Sequence, residues 1–286
     1  MSFLNKRKNS RKASEKYFIN CTDPNKTLHS FHVMNTNFQR AIISAIHEEV
    51  PTGLRHTRVV VKLMPSAYAT SALKEYSIGM KLKHMYGFIR YICIVKCHDK
   101  DYTPASICTT FAEQYAEKHE NLQLLVMPYF RSGSLREYKW GTHIHLLRSC
   151  LKQCVSSVFH AFMHVGFLHI DLHLSNILLK PTKKTHIDLG LDTPIQTHGF
   201  NICIMDFEHS LIDVDIENTD NIEQLFCDVD LLFSELTAAD GAHLKLTGIN
   251  EIKLYIAQKL QKPRASAMTT VMVRLCNMVD NIQFRT

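Results

Sequence analysis

The sequence predicts an α+β fold in two lobes, the first an antiparallel sheet with one main helix and the second mostly helical. Two observations carry this reading. The apolar pattern is strand-like in the first part of the chain and helix-like beyond its middle, with no internal repeat or low-complexity block. At 286 residues, 45% of them hydrophobic, the chain is long enough to bury a core for one large domain or two lobes. The boundaries expected are a basic flexible tail over 1–25, a first lobe over 26–128 and a second over 129–286.

The tail carries Lys6, Arg7, Lys8, Arg11, Lys12 and Lys16 with almost no apolar content, so it has nothing to add to a core. The run Arg58 to Leu63 is short and β-branched and reads as a strand. Alternation then puts Lys62 beside Val60 and opposite Val59, Val61 and Leu63. The segment SALKEYSIGMKLKHM reads as a helix with Leu73, Ile78 and Leu82 among its apolar positions. A polar, helix-prone insertion, FAEQYAEKHENLQ, precedes the strand LQLLVMPYF and the turn-rich RSGSLREY. A long helix follows, with Leu147, Leu151, Val155, Val158 and Phe162 mostly at three- and four-residue steps. NIEQLFCDVDLLFSEL and GINEIKLYIAQKLQ are two further amphipathic helices.

The chemistry sits between those helices. FLHIDLHLSNILLK, followed by NICIMDFEHS, supplies His169, Asp171, Asn176 and Asp206 in chain order. Phosphoryl transfer asks mainly for positioning and charge neutralisation: a carboxylate at the attacking hydroxyl, and an Asn and an Asp for magnesium. Asp171, Asn176 and Asp206 fill those places. The apolar run Ile177 to Leu179 reads as a strand leaving the loop, and Ile202 with Ile204 as a strand entering Asp206. His169 and His173 could alternatively share a helix face and bind a metal. Gly166 and Phe167, which end the preceding helix, and the lack of a glutamate beside the first histidine argue against that.

Lys62 on its strand resembles the protein-kinase lysine that contacts the α- and β-phosphates of the nucleotide. Such a lysine is held by a glutamate from the next helix, and Glu75 is the only acidic residue between Lys62 and Asp99. LQLLVMPYFRSGSL resembles a kinase hinge. That likeness implies an adenine site with Met127 at its back, the Pro128 carbonyl and the Phe130 amide at its edge, and Val60, Leu178 and Met205 lining it.

Within the kinases the chain resembles the haspin family in particular, from about Val59 onward. EYSIGMKLKHMYGFI, LQLLVMPYFRSGSL, HIDLHLSNILLK with histidine after Asp-Leu, and the insertion PTKKTHIDLGLDTPIQTHGF carry the likeness, as does the absence of an Ala-Pro-Glu motif. The resemblance implies an ATP- and Mg2+-dependent serine/threonine protein kinase, monomeric and acting at chromatin in mitosis. It would phosphorylate a threonine near the N-terminus of histone H3, in the nucleus and also in the cytoplasm. Asp171 would be the base, His169 would pack the loop, and His173 would approach the phosphate where many kinases use lysine. Either Asp228 or Asp230, with Asp228 preferred, would anchor the loop backbone.

Three features depart from the usual pattern. Ile170 replaces the arginine after the loop histidine, so an activation-segment phosphate would have no partner there. Asp206-Phe207-Glu208 is similar to choline-type kinases and keeps a small-molecule substrate open. VMNTNFQRAII, where a phosphate-covering turn should lie, has no glycine, which keeps a pseudokinase binding module open.

Charge and cysteine usage narrow the partners. From Phe207 to Leu244 there is no Lys or Arg against ten acidic residues, among them Asp213, Asp215, Glu217, Asp220 and Glu235, a stretch suited to a basic substrate. No sequence-specific nucleic-acid contact is expected. Nine cysteines without a Cys-x-x-Cys pair point to a reducing compartment, with Cys93 and Cys97 read as buried thiols. No apolar run approaches the roughly 18 to 20 residues that span a bilayer.

Overall fold

In the computed structural model of the chain, the residues described are 28–37, 40–47, 57–64, 69–97, 122–238, 246–261 and 263–284. The basic tail, residues 38 and 39 of the glycine-free stretch 33–43, most of the polar insertion and Asp240 lie outside them. The fold is α+β, with antiparallel sheets and five α-helices among the described residues. It divides into two compact units, the first drawn from residues up to Met80 and from Arg90–Tyr129, the second from Lys81–Ile89 and from Phe130 onward. The division after Tyr129 falls one residue from the boundary read in the sequence. Lys81–Ile89, however, goes with the second unit.

The first unit is a five-stranded antiparallel sheet. Its strands are β1 (Leu28–Asn37), β2 (Arg40–His47), β3 (Thr57–Met64), β4 (Cys93–Lys96) and β5 (Gln123–Pro128), in the order β1-β2-β3-β5-β4. β3 is central, and its β-branched residues bury one face: Val59 and Val61 are fully buried, as are Leu124, Leu125 and Val126 of β5. The antiparallel register sets Val60 opposite Met127 and Lys62 opposite Leu125. Cys93 and Cys97 each take part in a disulfide bond, which corrects their reading as thiols.

Helix α1 (Ala69–Leu82) follows β3. Ala72, Ile78 and Leu82 are buried as their spacing requires, whereas Leu73 is 52% exposed and belongs to the solvent face.

The second unit is built on α2 (Ile144–Val165). Leu147, Leu151, Val155, Val158 and Phe162 are all buried. Gly166 ends the helix in the left-handed conformation (φ 55°), and a Cβ there would stand 2.3 Å from the Val214 carbonyl oxygen, so no other residue fits. Strands β6 (Ile177–Pro181) and β9 (Phe200–Ile204) form one hairpin ladder; between them β7 (His186–Ile187) and β8 (Ile195–Gln196) make a smaller one. This excursion is the insertion singled out in the sequence, and Ile187, Leu189 and Ile195 give it a small core of its own.

Helices α3 (Thr219–Ala238), α4 (Ile249–Leu260) and α5 (Met268–Val279) complete the unit, with a short pair β10 (Leu246–Thr247) and β11 (Gln283–Phe284). The α2–α3 contact includes Phe159 edge-on to Phe226, with ring centroids 6.1 Å apart. No helix among the described residues is long and apolar enough to cross a membrane.

Candidate active site

Within the first unit, Lys62 on β3 and Glu75 on α1 form a buried ion pair, Nζ to Oε2 2.8 Å, with side chains 8% and 1% exposed. The second oxygen of Glu75 accepts from the Tyr91 hydroxyl at 2.5 Å. A buried charge pair is retained only when its remaining lone pairs are satisfied, and Tyr91 supplies that bond. Nothing in the sequence marked Tyr91, since a single tyrosine after an apolar turn has no periodic signature. Val60, Met127 and Pro128 lie on the adjoining strands, with Val60 and Pro128 partly exposed.

Within the second unit the loop after α2 brings Asp171, Asn176 and the residue before Asp206 together through main-chain bonds. The Asp171 carbonyl accepts the His173 amide at 3.0 Å and the Asn176 side-chain amide at 3.1 Å. Leu174–Asn176 forms a single 3-10 turn. The Asn176 carbonyl then accepts the Met205 amide at 2.9 Å, and the Met205 carbonyl takes a bond from His169 Nε2 at 3.0 Å. Because a carbonyl can only accept, Nε2 of His169 carries the proton.

Burial lowers the His169 pKa to about 4, against the opposing pull of the Met205 bond and the Asp206 and Asp171 carboxylates, so the ring is neutral at working pH. His169 packs among Phe167 and Phe207, with edge-on centroid distances of 6.1 and 5.9 Å. The Nε2 of His173 lies 3.5 Å from the Asp171 carboxylate. Leu178 and Met205 are partly exposed on either side of the Asn176 turn.

Two residues hold left-handed backbone here. Asp206 has φ 67° and Ile170 φ 68°. Aspartate tolerates this region, but a β-branched isoleucine does not, and left-handed backbone costs about 1–2 kcal/mol. Asp228 on α3 offsets it. One of its carboxylate oxygens accepts both the His169 amide at 2.9 Å and the Ile170 amide at 3.0 Å. Asp230 instead accepts from Ser234 at 3.2 Å, so of the two aspartates left open by the sequence, Asp228 is the anchor.

Burial raises the Asp228 pKa from 3.8 to about 6, with the two amide bonds pulling the other way. Since the folded pKa lies above the unfolded one, the stability linked to this group is complete below about pH 3.8 and is lost as pH rises through about 6. Asp228→Asn keeps an acceptor oxygen and is expected to flatten that part of the stability profile. Asp228→Ala orphans two buried amides and is expected to cost about 3 kcal/mol. Urea unfolding of the three proteins between pH 4 and 7 checks both.

A second anchor escaped the sequence reading. Glu235 accepts the Leu174 amide at 2.8 Å and pairs with Arg136, fixing the turn that carries Asn176. Sequence reasoning had counted Glu235 in an acidic face open to substrate. Glu208 and Asp228 of the same stretch are buried, and Asp213 pairs with Lys81. Asp215, Glu217 and Asp220 remain exposed.

Among the described residues no group of three His, Cys, Asp or Glu side chains is arranged to hold a metal. No protein-family model matches the chain, and no curated protein matches it.

Proposed function

We propose that the chain is an ATP- and Mg2+-dependent serine/threonine protein kinase of the haspin-like kind, with a two-lobed kinase fold and a basic protein substrate such as the N-terminal tail of histone H3. The observation that carries the reading is the hydrogen-bonded loop in which Asp171, Asn176 and Met205–Asp206 are tied to one another. The buried Lys62–Glu75 pair supports it independently.

In this reading Asp171 orients the substrate hydroxyl and takes its proton as the γ-phosphoryl group is transferred. Asn176 and Asp206 would hold magnesium, which neutralises phosphate charge when bound. Lys62, held by Glu75, grips the phosphates, while Val60, Met127, Pro128, Phe130, Leu178 and Met205 would bound the adenine site. The 3.5 Å approach of His173 Nε2 to the Asp171 carboxylate supports a role for this ring near the phosphate or the hydroxyl being activated.

The segment after Asp206 needs no phosphate to order it. Leu211 and Leu168 exchange both backbone bonds at 2.8 and 3.0 Å, Ser210 donates to the His169 carbonyl at 3.1 Å, and Val214 bonds Gly166 at 3.1 Å. These bonds, with Ile170 in the position of the usual arginine, support activity independent of activation-segment phosphorylation. A nuclear, chromosome-associated location belongs to the same proposal.

Asp215, Glu217 and Asp220 are exposed and suit a Lys- and Arg-rich peptide. Each exposed pair is worth only about 0.2–1 kcal/mol, but several together orient a basic chain. The test is incubation of the purified protein with labelled ATP, Mg2+ and a mixture of histones, acidic peptides and small amino alcohols. Label in H3 that disappears with chelator is expected. Preference for acidic peptides overturns the histone assignment, transfer to the alcohols alone favours the small-molecule reading suggested by Asp206-Phe207-Glu208, and no transfer at all leaves a binding module.

A further inference from the structure

We propose that Gln153 is a positioning residue that stands in for a missing neighbour strand on β9 and so sets Asp206 for magnesium, an inference that rests on the kinase reading above. β9 is paired with β6 along one edge only. At the end nearer Asp206, main chain covers the other edge: the Ile204 amide donates to Gly87 at 2.7 Å and the Ile89 amide to Ile204 at 2.9 Å. Further back, where a strand would continue, a side chain takes over.

The Gln153 carboxamide accepts the Ile202 amide at 3.0 Å and donates to the Phe200 carbonyl at 3.1 Å. An acceptor for the N–H of Ile202 and a donor for the C=O of Phe200, two residues earlier, is what a single residue of a parallel neighbour strand would present.

The rest of the carboxamide is also used. Its oxygen accepts the Tyr86 hydroxyl at 2.7 Å, and its nitrogen donates to Ser149 Oγ at 3.0 Å, one helical turn back on α2. Ser149 in turn donates to the Gln196 carbonyl at 2.6 Å. Gln153 therefore makes all four bonds an amide can make, in a fully buried position. Gly87 lets Tyr86 come this close: it holds φ 85°, and a Cβ on it would stand 2.2 Å from Ser157 Oγ.

Asp206 lies four residues beyond Ile202 and two beyond the end of β9. Between them the Ile204 bonds to Gly87 and Ile89, the ladder to β6 at Cys203 and Ile204, and the Met205 bonds to Asn176 and His169 carry the support on toward Asp206. Without Gln153 the far edge of β9 would lose its bonds at Phe200 and Ile202, so the strand that leads into Asp206 would be held less firmly against Asn176, while the bonds around Asp171 stay as they are. Loss of Gln153 should therefore read out as metal affinity.

The experiment compares wild type, Gln153→Leu and Tyr86→Phe as full chains, measuring turnover of an H3-tail peptide against Mg2+ at saturating ATP, with hydrogen exchange of peptides covering 200–206. Gln153→Leu is expected to raise the Mg2+ concentration for half-maximal turnover by about threefold, less than the roughly 10- to 100-fold lost when a group bonded directly to a metal ligand is removed, with the peptide KM unchanged. Tyr86→Phe, which removes one bond and keeps the fold if Gln153→Leu does not, should shift it in the same direction by less. Unchanged Mg2+ dependence with lower turnover would make Gln153 a core residue only and overturn the proposal.

The exchange measurement needs neither nucleotide nor activity. Faster exchange over 200–206 in the variants supports the clamp even if wild type transfers no phosphate, in which case the kinase reading fails and not the tether. Unchanged exchange removes the tether itself.

Discussion

Asp171→Ala is expected to lower turnover by at least about 100-fold, the lower end of what a positioned general base contributes, while nucleotide binding persists. The bonds to Asp171 separate its proposed chemical role from its architectural one. His173 and Asn176 are held by the Asp171 main-chain carbonyl, which alanine retains. The loop is anchored from outside by Asp228 and Glu235, neither of which touches the Asp171 carboxylate through the bonds that fix the backbone. Truncation therefore removes the carboxylate and leaves its frame.

Asp171→Asn keeps the shape without the basicity and should fall nearly as far, which separates proton acceptance from mere packing beside His173. Turnover of an H3-tail peptide, alongside the rise in melting temperature on adding Mg2+ and ATP, checks both halves. Turnover near that of wild type in either variant would strip Asp171 of its role.

The strands and helices that bury a regular face were legible in the sequence, because burial imposes its period. β3 follows from Val59 and Val61, and α2 from Leu147, Leu151, Val155, Val158 and Phe162, all of which are buried. Leu73 misled because an apolar residue inside a helix need not face the core; a lone exposed leucine costs little. Helix α5 was not anticipated, since MTTVMVRLCNMV begins with β-branched residues of modest helix propensity, and its burial against α2 decides its state.

Asp171, Asn176 and Asp206 stand out in the sequence because the proposed phosphoryl transfer would dictate their types and order. Tyr91, Gln153, Arg136 and Glu235 could not, since each acts by a tertiary hydrogen bond that leaves no period and no motif. Glu235 is the clearest instance: in the sequence it is one acid among ten, and only the Leu174 amide and Arg136 distinguish it.

Lys62→Met should reduce phosphoryl transfer by about 10² to 10³, the usual loss when one preorganised electrostatic contact to a developing charge is removed. Sequence alone suggests that this variant folds unchanged, but the burial of Glu75 alters that expectation. With a side chain 1% exposed, Glu75 would lose the ammonium that lies 2.8 Å from its Oε2 in a buried setting. Breaking such a pair from one side costs about 3–5 kcal/mol.

Lys62→Met/Glu75→Gln removes the stranded charge, retains an acceptor for Tyr91, and should recover most of the lost stability. It should recover none of the activity, because a neutral pair cannot grip phosphates. Urea unfolding and peptide turnover on the two single variants and the double complete the cycle. If the double variant regained activity together with stability, Lys62 would be a structural lysine, and the phosphates would have to be held by other groups.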